Sequence, residues 1–475
     1  MDWYKEVLKV KENIIKDLFG LMKIKSIKDL KSSSKQKPMG EGIAEALDYM
    51  LSLAERDGFT VKNIDGYAGY AELGNKQNNE DLYAGILCHL DVVPATGEWE
   101  SDPFSPVIKN DRIFGRGAID DKGPTIAVYY ALKILKELDL PIKRNIRIIF
   151  GTDEESGMRC MKYYNQTEPM PEIGFAPDAV FPIIHAEKGQ INAKLTFKES
   201  KTKKNTGLNK VVKFVSGNKG NMVPEKAMAI VFAPDTDIEK KFDEFCKRKQ
   251  LDGKVTTNGE EVEIILYGKS AHGMNPSEGI NAGLTLASFL HKEGIMATNQ
   301  KAYFEFLGVV LYNDHDGEQL GINFEDDYSG KLTVNPGVME LENNEGSLQL
   351  NIRCPVNTPY FRTIEIIEEK IKDYFFSLES VREKKPHFVN SNEPLIKVLQ
   401  EAYQDETGLE PSLLSTGGAT YARFIKRGVA FGAVFPGKKM TAHQANEYIE
   451  MEDLLKATAI YARAIYGLAN MEERE

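Results

Sequence analysis

The chain has 475 residues, which is too long for one ordinary hydrophobic core and predicts two domains. Charged residues make up 28% and hydrophobic residues 42%, as is typical of a water-soluble globular protein. The formal net charge is -11 and the basic residues are dispersed, so neither nucleic-acid binding nor attraction to an anionic membrane is expected.

The cysteines and the N-terminus indicate a cytoplasmic protein. Cys88, Cys160, Cys246 and Cys354 lie far apart and form no C-x-x-C pair, which is typical of reduced thiols. The first residues carry charges throughout and lack the apolar run of a signal peptide. No stretch of the sequence approaches the length of a membrane span.

The first part of the chain predicts helices followed by a hairpin and a buried strand. Apolar residues at helical spacing predict one helix over 2–22 and another over 41–56, with a polar loop at 29–39 between them. Turn glycines within 61–73 predict a hairpin. An apolar run that ends at His89 then predicts a buried strand.

The next elements indicate an α/β fold. Pro124 lies near the start of a predicted helix, where proline is tolerated. Strands are predicted at 146–150 and 173–176. Strand, helix and strand in this order predict a mostly parallel sheet with helices on both faces.

Between residues 188 and 385 the pattern changes to an α+β block. Strands are predicted at 191–197, 211–215, 262–267 and 346–352, and helices at 238–248 and 280–293. The lysine-rich run 201–204 is predicted to be an exposed turn.

From residue 390 the α/β pattern returns. The predicted elements are a helix at 394–407, a Gly417-Gly418 turn that leads into another helix, a strand at 429–435, a loop with His443 and a last helix at 451–468. We therefore expect a discontinuous α/β domain, 1–187 and 386–475, with an α+β domain inserted at 188–385.

Five residues with metal-binding side chains stand at or just beyond predicted strand ends. They are His89, Asp120, Glu155, Asp178 and His443. Ligand sites in open α/β sheets lie at the carboxyl ends of strands. Two metal ions that share one carboxylate would leave positions open for water and substrate, as catalytic sites do.

Each of these residues also has an ordinary structural interpretation. The pair His89 and Asp91 suits a metal ligand and the carboxylate that orients its ring, but it also suits a hydrogen-bonded strand end. Asp120-Asp121 fits a helix N-terminus, and Glu154-Glu155 fits a solvated loop. Spacing alone does not decide between these interpretations.

The sequence resembles the di-zinc metallopeptidases that include aminoacylase, acetylornithine deacetylase, succinyl-diaminopimelate desuccinylase and carnosinase. The resemblance is carried by His89-Leu-Asp91, Trp99, Asp102-Pro103-Phe104, Gly115-Arg116-Gly117, Asp120-Asp121-Lys122-Gly123, Glu154-Glu155, Asp178, His443, and Gly268-Lys-Ser-Ala-His272 with Pro276, Gly279, Asn281 and Ala282.

Within this group the chain is most similar to the bacterial peptidase V dipeptidases. The shared stretches are Phe181-Pro182-Ile-Ile, Asn221-Met-Val-Pro224-Glu, Asn351-Ile-Arg353 and Gly417-Gly418-Ala-Thr420-Tyr421. The resemblance covers nearly the whole chain. Ala419 departs from it, because that branch often has a third glycine there, and this weakens the implied substrate contact.

The resemblance implies two divalent metal ions. One would be held by His89, Asp120 and Asp178, and the other by Asp120, Glu155 and His443. Among the possible metals the resemblance favours zinc, although the same ligands also accept manganese or cobalt. It also implies a cis peptide bond between Asp120 and its neighbour.

The same resemblance implies the catalytic roles. Asp91 would orient His89, and Glu154 would act as the general base. His272, in an inserted block that acts as a lid, would stabilise the tetrahedral oxyanion. Arg353 would bind the terminal carboxylate of the substrate.

Three further residues, Asn221, Gly417 and Gly418, would contact the substrate. The remaining histidines match nothing in the family and are expected to be structural or exposed: His185, His291, His315 and His387.

The expected function is a metal-dependent dipeptidase that acts on unblocked dipeptides, and we expect a monomer. One alternative within the family is a deacylase of N-acyl amino acids. An alternative of another class is an inactive metal-binding regulatory protein, which the presence of Glu154 beside all five ligands disfavours.

Overall fold

The computed structural model describes residues 1–74, 83–198, 209–234 and 236–472. The chain divides into two compact units. The first comprises Met1–Ala186, Phe388–Leu414 and Ala419–Glu475, and the second comprises Glu187–His387 and Ser415–Gly418. The lysine-rich run 201–204 lies outside the described residues.

The first unit is an α/β unit. Its helices are α1 (Trp3–Lys9), α2 (Lys11–Lys23), α3 (Glu41–Arg56), α4 (Lys122–Glu137), α5 (Arg159–Thr167), α10 (Pro394–Thr407) and α11 (Met451–Asn470). Its strands are β1 (Thr60–Ile64), β2 (Ala68–Leu73), β3 (Tyr83–His89), β4 (Val107–Lys109), β5 (Arg112–Phe114), β6 (Asn145–Gly151), β7 (Ile173–Ala176), β8 (Ala179–Val180), β9 (Ile183–Glu187), β22 (Arg427–Ala430), β23 (Ala433–Val434) and β24 (Tyr448–Glu450).

The main sheet of this unit has the strand order β1-β2-β6-β3-β7-β22-β9. Its four central strands, β6, β3, β7 and β22, run parallel to one another. The flanking strands β1, β2 and β9 pair antiparallel. The sheet is therefore mixed, with a parallel centre whose carboxyl ends share one edge.

Helices cover both faces of this sheet. Along β3, Ala84, Ile86 and Cys88 join the larger core with residues of α1–α4, α10 and α11. Tyr83 and Leu87, which alternate with them, join a smaller core with residues of α5. This alternation follows from the two-residue period of a strand.

The second unit is built on an antiparallel sheet of order β13-β14-β12-β11-β17-β18-β10-β19. Its strands are β10 (Gly189–Lys198), β11 (Lys210–Ser216), β12 (Lys226–Phe232), β13 (Gly253–Asn258), β14 (Glu261–Tyr267), β15 (Glu325–Asp326), β16 (Gly330–Lys331), β17 (Thr333–Glu342), β18 (Glu345–Cys354) and β19 (Phe376–Lys384). Its helices are α6 (Ile238–Lys249), α7 (Ala282–Glu293), α8 (Lys301–Glu305) and α9 (Tyr360–Lys372), and their apolar side chains form one core with the sheet.

Two short strands fall where the chain passes from one unit to the other, β20 (His387–Phe388) and β21 (Leu413–Thr416). Residues 415–418, which the sequence assigns to the α/β domain, belong to the second unit. The reason is local hydrogen bonding: Lys188 N–H donates to Thr416 O at 2.8 Å, and Arg353 Nη1 donates to Gly417 O at 2.7 Å.

Helix α10 has the bounds that the sequence predicts. It begins at Pro394 and ends at Thr407, and its C-cap residue is Gly408, whose φ is +70°, a conformation that glycine adopts readily. Helix α3 also has its predicted bounds.

Three predicted elements differ from the structure. The first helix is broken at Val10, which gives α1 and α2. The helix expected after Gly418 is only a 3₁₀ turn, Tyr421–Phe424. The strand expected at 429–435 is divided into β22 and β23.

Two further observations concern the cysteines and the apolar character of the helices. The four cysteines are buried and form no disulfide among the described residues. No helix of the described ranges has the length and apolar character needed to cross a membrane.

Candidate metal centre

Four side chains of the first unit converge around a fifth, that of Asp120. Its Oδ1 lies 3.0 Å from His89 Nε2, and its Oδ2 lies 3.0 Å from His443 Nε2. Asp178 Oδ2 is 3.7 Å from His89 Nε2, and Glu155 Oε2 is 3.0 Å from His443 Nε2. Asp120 therefore presents one oxygen to each imidazole.

The topology of the sheet explains this convergence. His89 is the last residue of β3, and Asp178 follows β7 by two residues. Glu154 and Glu155 follow β6. These parallel strands are neighbours, so the residues after them meet at one edge of the sheet.

Asp120 and His443 reach the same place from segments outside the parallel strands. Asp120 lies just before α4, and its peptide bond to Asp121 is cis. His443 lies in the segment between β23 and β24, with a φ of +65° and a side chain that is 56% exposed.

A backbone carbonyl fixes the tautomer of His89. The carbonyl oxygen of Asp91 can only accept, so His89 Nδ1–H donates to it, at 2.9 Å. In the neutral ring Nε2 then carries a lone pair that faces Asp120 and Asp178. Nε2 is buried and makes no hydrogen bond among the described residues.

The Asp91 carboxylate organises the neighbouring loop rather than the imidazole alone. Its two oxygens accept the backbone N–H groups of Glu154, at 3.0 Å, and Glu155, at 3.1 Å. Its Oδ1 lies 3.6 Å from His89 Nδ1, beyond ordinary hydrogen-bond range. Sequence reasoning assigns Asp91 to the ring and gives no sign of this second contact.

A similar arrangement holds the backbone of His89. Its N–H donates to Asp121 Oδ2 at 3.0 Å, and the same oxygen accepts from Thr125 Oγ1 at 3.2 Å. Asp121 is fully buried and forms no side-chain cap on α4, so its role differs from that of an ordinary helix N-cap.

Two groups of these side chains have donor atoms close enough to share a cation. One is His89, Glu154 and Asp178, and the other is His89, Asp120 and Glu155. Glu154 thus lies within ligand distance, although the sequence assigns it the role of base. Its Oε1 is buried without a hydrogen-bond partner among the described residues.

The charges of the cluster strongly perturb its pKa values. Partial desolvation opposes the charged form of His443, but hydrogen bonds to Asp120 and Glu155 raise its pKa to about 11. Burial likewise disfavours charged His89, yet Asp120, Asp178 and Asp91 raise its pKa well above the usual range. The carboxylates therefore favour positive charge at both imidazoles.

The carboxyl groups respond in opposite directions. Burial and the nearby Asp120 raise the pKa of Glu155 to about 7. Burial and Asp178 raise the pKa of Glu154 well above its usual range. Burial acts on Asp120 too, but its contacts with His443 and His89 outweigh it and hold the pKa of Asp120 well below its usual range.

The other residues that the resemblance implicates lie in the second unit. The Arg353 guanidinium is buried, donating from Nε to Asn351 Oδ1 at 3.0 Å and from Nη1 to the Gly417 carbonyl. His272 Nδ1 accepts the Met274 N–H at 3.3 Å. Asn221 lies in the adjoining segment, where its carbonyl accepts the Gly273 N–H at 2.7 Å.

Comparison with known proteins identifies the family. The sequence pattern of Peptidase family M20/M25/M40 matches residues 85–467. The chain belongs to this family. The segment before residue 85, with α1–α3 and the β1–β2 hairpin, lies outside the matched range.

Relatives of this M20 peptidase match it over nearly its whole length. The names of two of the most similar ones begin with "Putative dipeptidase", as do those of the other relatives compared. YtjP of Bacillus subtilis is 42% identical over 471 residues, which cover 99% of this chain and 100% of YtjP. SH1171 of Staphylococcus haemolyticus is 41% identical over 469 residues, which cover 98% of this chain and 99% of SH1171.

Solved structures share the fold of this M20 peptidase. Human carnosine dipeptidase 1 matches with a TM-score of 0.57 at 14% identity, over 99% of this chain and 98% of that chain. The yeast di-peptidase Dug1p, from Saccharomyces cerevisiae, matches with a TM-score of 0.57 at 12% identity, over 99% of both chains. At these identities the likeness concerns the fold alone.

Sequence reasoning missed one residue that this M20 peptidase places beside Asp120. The buried Glu447 Oε1 accepts the backbone N–H groups of Ile119, at 3.0 Å, and Asp120, at 3.2 Å. Its Oε2 accepts from the buried Arg116 at 2.5 Å. Glu447 lies four residues after His443, so it joins the segment of one proposed ligand to the backbone of another.

Removing this carboxylate should weaken metal binding. In Glu447→Ala both backbone N–H groups and Arg116 lose their acceptor, so the dissociation constant for Zn²⁺ should rise about 10–100-fold. Glu447→Gln keeps a carbonyl oxygen for the two amides and should lose less. Competition with a chromophoric chelator measures the constant.

Glu450→Ala provides the control, because Glu450 on β24 pairs with Arg112 on the neighbouring strand β5 and with Lys438, and none of the described hydrogen bonds or ion pairs joins it to Asp120. Zinc affinity that stays at the wild-type value in Glu447→Ala would exclude this role.

Proposed function

We propose that this chain is a divalent-metal-dependent dipeptidase that hydrolyses the peptide bond of unblocked dipeptides, with Glu154 as the general base. The observation that carries the proposal is the position of Asp120 between His89 and His443, with Asp178 and Glu155 beside the two imidazoles. The dipeptidase names of relatives above 40% identity over nearly the full chain support the substrate class.

The donor set fits two divalent ions. His89, Asp120 and Asp178 would hold one, and Asp120, Glu155 and His443 the other. The buried lone pair of His89 Nε2 faces carboxylate oxygens, an arrangement that is unfavourable unless a proton or a cation lies between them. Oxygen and nitrogen donors of this kind suit zinc, manganese or cobalt.

When bound, such ions polarise a carbonyl group and lower the pKa of a water molecule. Glu154 takes a proton from the attacking water and returns it to the leaving amine. The carboxylate form of Glu154 accepts the first proton, and the carboxyl group that results donates it in the second step. The Asp91 carboxylate fixes the backbone of Glu154 during both transfers.

His272 supplies a donor for the oxyanion. Because its Nδ1 accepts the Met274 N–H, the neutral ring carries its proton on Nε2. An N–H at that position stabilises the negative charge that develops on the carbonyl oxygen in the transition state.

Arg353 binds the terminal carboxylate of the substrate, and Asn221, Gly417 and Gly418 contact the rest of it. The Arg353 side chain is 4% exposed, and none of the described ion pairs joins it to a carboxylate. A buried guanidinium bonded only to an amide oxygen and a carbonyl is poorly compensated, and its planar fork matches a carboxylate.

A substrate panel tests the proposal. With Mn²⁺ or Zn²⁺ supplied, Ala-Ala and Leu-Gly should have kcat/KM values at least about 100-fold above those of N-acetylornithine and N-succinyl-diaminopimelate, because a site that pairs a free ammonium rejects acylated analogues. A tripeptide should also be a poorer substrate, because a site that binds both ends of a dipeptide limits the length of the substrate. A chelator should abolish turnover, and added metal should restore it. A better rate with either acylated compound would establish the deacylase alternative instead, and no turnover of any compound would favour the regulatory protein.

Replacing the base separates its two possible roles. Glu154→Gln should lower kcat by about 10²–10⁴-fold with little change in bound metal, because the amide cannot accept the proton. Glu155→Gln is the matched variant, and it should lose metal. If Glu154→Gln loses metal in step with activity, Glu154 is a ligand, as its distance to His89 and Asp178 also permits.

The carboxylate contact predicts a change in KM. Arg353→Ala should raise KM for free dipeptides about 10–100-fold and leave carboxyl-amidated dipeptides unaffected, because only the former pair with the guanidinium. Arg382→Ala, which alters an exposed arginine of the same unit, is the control. An equal loss with amidated substrates would rule out this role of Arg353.

A further inference from the structure

A short non-helical segment, residues 24–28, lies against the candidate metal centre of the first unit. It follows directly after α2 and precedes the part of the chain that matches the family, residues 85–467. None of its side chains belongs to the proposed ligand set. It is nevertheless bonded to three of the segments that carry that set.

The first attachment joins the segment to the chain beyond His89. Ser26, which is fully buried, donates from Oγ to the carbonyl oxygen of Leu90 at 2.6 Å. Its own carbonyl accepts the N–H of Val92 at 3.0 Å. These two bonds bracket Asp91, the residue whose carbonyl fixes the His89 tautomer.

The second attachment joins the segment to the chain beyond Asp120. Lys122 is fully buried, and its Nζ donates to the carbonyl oxygens of Ile24, at 2.6 Å, and Leu21, at 3.1 Å. Leu21 lies in the last turn of α2 and Ile24 is its C-cap residue, and the Leu21 carbonyl also accepts the Ile24 N–H at 3.2 Å. The lysine thus joins the C-terminus of one helix to the N-terminus of α4.

The third attachment is an ion pair to the segment that carries Glu154 and Glu155. Lys28 Nζ donates to Asp153 Oδ1 at 2.6 Å and to Ser156 Oγ at 2.8 Å. The Asp153 side chain is fully buried, whereas that of Lys28 is 25% exposed. Asp153 also receives a longer contact from Arg159 Nε at 3.4 Å, but Arg159 is half exposed.

Helix α3 also packs closely against the segment 24–28. A Cβ atom added to Gly42, in the first turn of that helix, would lie 2.1 Å from the carbonyl oxygen of Lys25. Only glycine permits this approach, so 24–28 is confined between α3 and the three segments that it contacts.

We propose that residues 24–28 are a positioning element for the metal centre, and that Lys28 holds the Glu154–Glu155 segment in place through Asp153. The inference rests on the proposed metal-binding function of the cluster. Loss of Lys28 leaves the buried Asp153 carboxylate with the Ser156 hydroxyl, the Arg159 N–H and a more distant, exposed guanidinium, so its charge is poorly compensated and the segment should shift to hydrate it. The loss of Lys28 should first affect the backbone amides of Glu154 and Glu155, which lie next to Asp153.

The test compares Lys28→Met with a matched control in the same unit. Lys133→Met removes an ion pair of similar burial, since Lys133 is 13% exposed and pairs with Asp57 at 2.8 Å, but Asp57 carries no part of the cluster. Lys28→Arg keeps the positive charge and serves as the rescue. All variants are made in the full chain.

Two readouts are measured, neither of which is turnover. Hydrogen exchange in a peptide spanning 153–158 should accelerate about tenfold or more in Lys28→Met, because local opening frees the amides bonded to Asp91. The Zn²⁺ dissociation constant from chelator competition should rise about 10–100-fold. Lys133→Met and Lys28→Arg should stay near wild type in both readouts, even if Lys133→Met lowers the melting temperature as much as Lys28→Met does.

Wild-type exchange and zinc affinity in Lys28→Met would overturn the proposal, and so would equal changes in Lys133→Met, which would indicate general destabilisation. If the wild-type chain binds no Zn²⁺ or Mn²⁺, the proposed function fails, while the exchange data still decide whether Lys28 holds the segment. If Lys28→Met does not fold, Ser26→Ala replaces it. That variant loses the bond to Leu90 and should weaken zinc binding in the same direction, whereas unchanged affinity would contradict the role of the segment.

Discussion

Two imidazoles and several carboxylates face one another around Asp120. The excess of negative charge among these groups is the constraint on which the rest of the first unit depends. The carbonyl of Asp91 commits the His89 lone pair to Nε2, where it meets Asp120 and Asp178 oxygens. Protons or cations must occupy this space to offset the repulsion. The raised pKa values of His89 and His443 correspond to the first possibility, protonation of the two rings. A pair of divalent ions is the second possibility.

The residues that hold the cluster use one device repeatedly: a buried carboxylate accepts the backbone N–H of a proposed functional residue. Asp121 accepts from His89, Asp91 from Glu154 and Glu155, and Glu447 from Asp120. Each bond fixes the position of the backbone and leaves the functional side chain free to face the cluster.

The sequence predicts the parts of this arrangement that follow from periodicity and from strand ends. The parallel centre of the sheet follows from the apolar strands before His89 and Asp178, and its geometry brings the residues after them together. It does not predict Glu447 or Lys28, because a glutamate in a loop and a lysine after a helix look like solvated side chains. Glu447 is buried and accepts from Asp120, whereas Lys28 pairs with the buried Asp153, and no local pattern encodes these tertiary partners. The broken first helix at Val10 and the 3₁₀ turn after Thr420 show the same limit, since apolar spacing cannot locate interruptions that tertiary packing decides.

The second unit carries a buried charge of the opposite sign. Arg353 donates to neutral acceptors at Asn351 and Gly417, and burial lowers its pKa to about 10. Its charged form is therefore unfavourable unless an anion binds beside it. In the proposed function the terminal carboxylate of the substrate supplies that anion. This charge does not separate a dipeptidase from a deacylase, because an N-acyl amino acid carries the same carboxylate. The two substrates differ on the acyl side of the scissile amide, where a dipeptide carries an ammonium group and an acetyl or succinyl group carries none. Discrimination must therefore come from the acidic groups that can accept an ammonium, and the comparison of free with acylated substrates tests that difference directly.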